Sequence, residues 1–375
     1  MSSHPLWSFP FRPLFLGVAV FACLAVPAWM LQFQFGWLPG GVDALWHRHE
    51  MLLGFAGGTV VGFVLTAAQT WTGVRTINGV PLMLLVLFWL LARVGWALGW
   101  SLPAALADGL FYTVAALTVG YMTIVTRNWR NVFYGPVLLL LAGMAVYYAV
   151  ALEGGQVAFA GELLNIVLFV ILHVVLVVGG RVIPFFTDRG LKRPPTSVIV
   201  SLEWVALLSS LLYLGVLIKG SEDTVLERVA LLVVVANAIR WLHWKPWQTL
   251  AVPLLWSLQL AYAALVLGFL FIAIDAPRSV AIHTLAVGGI GLMILAMISR
   301  VSLGHTGRPL QLPSGYLPAF YALLVALLSR ILAGLLPDWY LPLLWVAAAG
   351  WFLAYGLFVV HYLPILLAPR PDAER

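Results

Sequence analysis

Leu164-Asn165-Ile166-Val167-Leu168-Phe169-Val170-Ile171-Leu172-His173-Val174-Val175-Leu176-Val177-Val178 decides the fold. This run carries two polar side chains, Asn165 and His173, and no charge. It lies inside a candidate span over 161–186, and a membrane helix needs roughly 20 apolar residues. Backbone groups in lipid must be satisfied within the segment, which leaves a helix as the form such a run can take.

Runs of the same kind fill the chain on both sides. Twelve candidates stand at 13–34, 49–70, 79–99, 103–126, 133–152, 161–186, 196–218, 224–243, 248–272, 279–300, 316–336 and 340–367. Turn chemistry separates them, as in Leu38-Pro39-Gly40-Gly41, Asn128-Trp129-Arg130-Asn131, Arg193-Pro194-Pro195 and Pro313-Ser314-Gly315. Of 375 residues, 63% are hydrophobic and 9% charged, against roughly 25% charged in soluble domains. The mean hydropathy is +1.01. These figures imply an all-α, polytopic integral membrane bundle of about 12 transmembrane helices, read as a single transmembrane domain over 1–375. The first run lacks a small-residue cleavage site and reads as a retained span.

The formal net charge of +6 does not point to nucleic acid, because the basic residues sit singly between apolar runs. They read as orientation signals. Thirteen Lys and Arg, among them Arg12, Arg127, Arg130, Arg240 and Arg300, fall on the side shared by both termini. Five fall opposite: Arg48, Arg93, Lys219, Arg228 and Arg278. The bias predicts cytoplasmic tails at 1–12 and 369–375. Cys23 is the single cysteine, so no intrachain disulfide forms. Walker-type, GxSxG, HExxH and CxxCH motifs are absent, which leaves ATP-driven pumping, serine hydrolysis, zincin chemistry and c-type haem attachment without support.

Ionisable groups inside a membrane carry a functional hypothesis by default. His47-Arg48-His49-Glu50 opens the second span. Two residues apart on a helix project about 200° apart, so His47 and His49 cannot chelate one metal. They suit two centres, or a ligand and its support. A repeat links this segment to a later one. His49 and His283 each precede a Gly by 24 residues, Gly73 and Gly307, and Gly54 and Gly57 match Gly288 and Gly291 at the same offset of 234. Two parallel helices with His at one depth and Gly below could clamp a flat cofactor, the glycines making room for its edge. Haem iron accepts axial His. Ordinary close helix packing is the competing reading of the glycines. His173 is a further haem or copper ligand candidate, against a histidine bonded to a neighbouring helix carbonyl. Any copper must use imidazole, since Cys23 stands alone and the Met residues are scattered. Arg48, Arg181, Arg300 and His305 are candidates for an anion or a haem propionate, or else ordinary basic anchors. Acids within or near spans are few, Asp108, Glu153, Glu162 and Glu203; Glu203, the deepest, suits a proton relay or a bond to a neighbour.

Three blocks carry a resemblance. They are Trp46-His47-Arg48-His49-Glu50-Met51 through Trp71-Thr72-Gly73, Gly179-Gly180-Arg181-Val182-Ile183-Pro184-Phe185-Phe186-Thr187, and His283 through Arg300-Val301-Ser302-Leu303-Gly304-His305-Thr306-Gly307-Arg308. In these blocks and over nearly its whole length the chain resembles the NnrS family. That resemblance implies a bacterial inner-membrane haem and copper protein linked to denitrification and nitric oxide resistance. It implies nitric oxide as the small-molecule partner, b-type haem as the cofactor with copper as a second metal, and a quinol or periplasmic electron donor if nitric oxide is reduced. The layout also resembles haem–copper oxidase catalytic subunits, with histidines on spans 2, 6 and 10. The paired His of span 7 is missing, and position 285, where an HxH would end, is Leu285. A secondary transporter of haem, copper or a nitrogen oxide is the alternative from another class, and a non-enzymatic protein that sequesters nitric oxide is a third.

Overall fold

The computed structural model describes residues 4–38 and 41–371. Pro39 and Gly40 of the first predicted turn lie outside them, as do residues 1–3 and 372–375 of the two expected tails. Twelve long helices run through the described residues: α1 Phe11–Phe35, α2 Ala44–Thr72, α3 Val80–Ala97, α4 Ser101–Val125, α5 Tyr134–Glu153, α6 Val157–Gly190, α7 Val200–Ile218, α8 Asp223–His243, α9 Pro253–Ala273, α10 Arg278–His305, α11 Pro318–Leu335 and α12 Tyr340–Leu367. No strand occurs among the described residues. Eleven of the helices are long and apolar enough to cross a bilayer. The other, α8, carries Asp223, Glu227, Arg228 and Arg240 along its 21 residues.

The chain divides into two compact units. One holds residues 1–167, 302–308 and 358–375; the other holds 168–301 and 309–357.

Several expected loop residues lie inside helices. The sixth span was expected to end at 186, yet α6 runs through Pro184 and on to Gly190. Proline removes one intrahelical bond and crowds the carbonyl four residues back. That residue is Gly180, which has no side chain to add to the crowding. Arg12, Arg93, Arg240 and Arg300 also lie within helices and are buried, so they are not loop charges that set orientation. Lys and Arg in the remaining loops keep the same bias.

The repeat seen in the sequence has a structural counterpart. The eight residues after His49, Glu50–Gly57, form a π-helical segment inside α2. The eight after His283, Thr284–Gly291, form another inside α10. Both helices then return to α geometry and end at a Thr-Gly pair, Gly73 at φ 71° and Gly307 at φ 70°. A π segment inserts roughly one extra residue into a turn and marks functional positions more often than chance. It also leaves carbonyls short of donors. In the first unit Tyr112 Oη donates to the Leu53 carbonyl at 2.5 Å and Trp89 Nε1 to the Gly54 carbonyl at 2.9 Å. In the second, Tyr355 Oη donates to the Gly291 carbonyl at 2.8 Å.

Candidate functional site

Asp43 caps α2, accepting from the Trp46 N–H at 2.7 Å, and the cap fixes the start of the helix that carries His47, Arg48 and His49. The three side chains then diverge. The His47 ring stacks on Trp29 with centroids 5.4 Å apart. Arg48 reaches α6, donating to the Gly161 carbonyl and to Asn165 Oδ1, both at 2.7 Å. His49 is fully buried between Trp96 at 4.3 Å and Tyr148 at 5.0 Å.

Around His49 lies a group that the sequence did not assemble. Arg93 of α3 donates to Glu50 Oε2 at 2.9 Å and to Asp108 of α4 through a second nitrogen. Trp96 Nε1 donates to the other Asp108 oxygen at 2.9 Å. His49 Nδ1 meets Glu50 Oε1 at 3.0 Å, while its Nε2 makes no hydrogen bond and lies 3.7 Å from Asp108 Oδ2. Glu50, Asp108 and His49 are all at 0% exposure and Arg93 at 5%. Charges so far from water persist only when paired and hydrogen-bonded. Arg93 read as a loop arginine, and Asp108 as an isolated acid. The available signal was their placement within two turns of the short α3–α4 connection, which sets the two helices side by side.

The glycines that were expected to make room for a cofactor edge are occupied by the protein itself. A Cβ at Gly54 would stand 2.1 Å from Arg93 Nη1, and one at Gly57 1.9 Å from Tyr112 Oη. At Gly288 the neighbours are Ala264 and Leu327, and at Gly291 Trp351, all closer than 3.0 Å. Close approach of helices and side chains is what these positions serve.

His283, in the second unit, has Nδ1 2.8 Å from the Ser279 carbonyl one turn back. His173 has Nδ1 2.9 Å from Ser210 Oγ, and that hydroxyl donates to the Leu207 carbonyl at 2.8 Å. Ser210 Oγ therefore accepts, and His173 Nδ1 carries the proton. A carbonyl can only accept, so His283 has the same tautomer. Glu50 Oε1 is likewise the acceptor for His49. In all three imidazoles Nε2 is the nitrogen with the lone pair, the arrangement of a metal-binding His held by a carboxylate, carbonyl or hydroxyl behind it. His243 differs, with Nε2 donating to the Ser197 carbonyl at 2.8 Å.

The remaining candidates sit elsewhere. Arg300 lies in the last turns of α10, with its guanidinium over the Phe186 ring at 4.3 Å. His305 ends that helix and packs against Phe11 at 5.6 Å. Arg181 is half-buried on α6. Arg300 follows His283 by 17 residues, roughly 25 Å along a helix. A porphyrin's carboxylates do not reach that far from its iron, so a haem held by His283 cannot use Arg300. Glu203, read as a relay or a hydrogen-bonding acid, is bonded at both oxygens by Arg240, and Arg240 also donates to the Tyr262 hydroxyl at 3.2 Å. Gly180 explains itself here, because a Cβ would stand 1.7 Å from Arg240 Nη2.

Among the described residues no three His, Cys, Asp or Glu side chains gather as a metal cluster. Haem needs no such cluster; one or two imidazoles hold its iron. The tautomers of His49, His173 and His283 fit that demand, although at His49 the side chains of Trp96 and Asp108 enclose the nitrogen.

No curated protein matches this chain. The model of the family described as NnrS protein matches residues 5–370. With that match running across all twelve helices and all three motif blocks, the chain belongs to the NnrS family and is a nitric-oxide-related integral membrane protein.

Proposed function

We propose that this protein is a membrane haem protein that binds nitric oxide at a histidine-ligated haem. The observation that carries the reading is that His49, His173 and His283 each have Nδ1 within hydrogen-bond distance of a protein oxygen, which fits Nε2 as the lone-pair nitrogen. His49 and His283 are the first ligand candidates, because each stands one residue before a π-helical segment. His173 and His47 follow, for a second haem or for copper held by imidazole. With Cys23 alone and no CxxCH, the haem is non-covalent, b-type. Bound haem supplies an iron that takes nitric oxide, a small apolar gas that enters from the bilayer.

The protein's own residues do the positioning. Glu50 orients the His49 ring and is itself fixed by Arg93. The Ser279 carbonyl orients His283, and Ser210 orients His173. Trp96 and Tyr148 keep water from His49. Arg48 holds α2 against α6 and offers a guanidinium for a cofactor carboxylate near His47. If the site turns over nitric oxide, a quinol or a periplasmic donor supplies the electrons; if not, the protein sequesters the gas. The membrane is the bacterial cytoplasmic one, with both termini inside.

The absorption spectrum of purified protein, made with adequate haem, tests this reading. A Soret band is expected, and His49→Ala, His173→Ala or His283→Ala should lower occupancy or change ligation. A spectrum without a Soret band would sink the proposal. Nitric oxide consumption with a reductant then separates a reductase from a binder, and metal analysis reads copper directly.

One observation favours a second reading. Paired π-containing helices at a fixed offset are an internal repeat, and repeats are common in secondary transporters of the kind that would carry haem, copper or a nitrogen oxide. Uptake of haem or copper into proteoliposomes would support it.

A further inference from the structure

Among the described residues four arginines are buried, and three of them have acceptors. Arg12 donates to the carbonyls of Leu366 and Ala368. Arg93 is held by Glu50 and Asp108, and Arg240 by Glu203. Arg300 is 6% exposed and has the Phe186 ring over one face of its guanidinium, yet no oxygen among the described residues accepts from it. An uncompensated cation inside a helix bundle is costly, and intramembrane charges face a partner or a functional path.

A second buried group is bonded to the residue that follows Phe186. Gln259 of α9 donates from Nε2 to Thr187 Oγ1 at 3.0 Å, and Thr187 follows Phe186. Gln259 is 2% exposed, and its Oε1 has no hydrogen-bond partner. The two ends of an amide are assigned by their neighbours. With the ends exchanged, Thr187 donates to Oε1 and the NH2 group is left to donate elsewhere. A cation without an acceptor and an amide with an open end are what an anion would complete.

We propose that Arg300 is the seat of an anion site near the C-terminal end of α10. The ligand is a small oxyanion, either free or as the phosphate of a lipid headgroup. The Phe186 ring lies 4.3 Å from the guanidinium carbon, and the fork of N–H groups matches two oxygens of such a group. The site is separate from a haem on His283, because Arg300 lies roughly 25 Å along α10 from that histidine. Its test therefore needs no haem.

The full chain, purified in detergent and stripped of lipid, is unfolded by heat while tryptophan fluorescence is followed. Phosphate or sulfate is added against chloride at equal ionic strength. A parallel arm places the protein in phosphatidylcholine vesicles with and without phosphatidylglycerol. The expected result is a midpoint that rises with the oxyanion or with phosphatidylglycerol. Dependence on free anion assigns a soluble ligand, and dependence on phosphatidylglycerol alone assigns a headgroup. Arg300→Gln should weaken the apparent affinity at least tenfold, and Arg300→Lys should keep part of it. Arg300→Met should abolish the response and, without anion, unfold no earlier than the wild type, since it removes an unanswered charge. The proposal is overturned by a wild-type midpoint indifferent to every anion and lipid. It is equally overturned by Arg300→Met responding as the wild type does, or unfolding earlier without anion.

Discussion

Arg93 is the residue on which the buried group around His49 turns. One guanidinium answers two acids, and a carboxylate oxygen of one of them meets the imidazole. Removing one partner of a buried ion pair typically costs about 3–5 kcal/mol, because the other charge is left behind. Arg93→Met is therefore expected to lower the thermal unfolding midpoint sharply in detergent. The combination of Arg93→Met, Glu50→Gln and Asp108→Asn should recover much of that loss. If the triple variant is as unstable as the single one, the charges are not the reason. At Glu50, Glu50→Gln keeps an oxygen for His49 Nδ1, whereas Glu50→Leu does not. Haem occupancy should then fall more in Glu50→Leu than in Glu50→Gln. Much of this group was visible in the sequence only as types. His49 and Glu50 stood out as neighbours, but Arg93 passed for a topology signal. Its pairing depends on which face of α3 meets α2 and α4, and a mean hydropathy carries no information about faces.

The π segments are the features of the elements that a helical count could not reach. Sequence gave two matched His and four matched Gly at one spacing, and that spacing is kept in the helices. Hydrophobic runs alone do not distinguish i→i+4 from i→i+5 bonding, so the extra residue in each turn was not legible. The consequence for the glycines was a wrong expectation of open space. Gly57→Ala should destabilise, by about 1–3 kcal/mol, since its Cβ would stand 1.9 Å from Tyr112 Oη. Tyr112→Phe removes that hydroxyl and also its bond to the Leu53 carbonyl. The double variant should be less destabilised than the two singles added together. A thermal-stability double-mutant cycle measures the coupling, and strict additivity would show that the close approach is not the cause. Tyr355→Phe should cost about 1 kcal/mol and speed amide exchange around Gly291, where its hydroxyl meets the π segment.

At the scale of the molecule, helix number and bounds were legible, because a bilayer imposes one length and one polarity on every span. The ends of α5, α8 and α12 fall within a residue of their expected places. The two compact units were not legible, since hydropathy is uniform across them. Orientation is open to direct measurement. In a Cys23→Ser background, Glu222→Cys at the start of α8 should react with an impermeant maleimide added to intact cells. Arg130→Cys, before α5, should react only after lysis. The reverse pattern would invert the assignment. Arg12 finally has a bearing on how the chain comes into being. Its acceptors, the Leu366 and Ala368 carbonyls, lie 354 and 356 residues further on. A ribosome therefore delivers the first helix into the bilayer before the carbonyls that this cation binds in the folded protein exist. During synthesis the first span is provisional, and its first turn is secured only once residues 366–368 have been made.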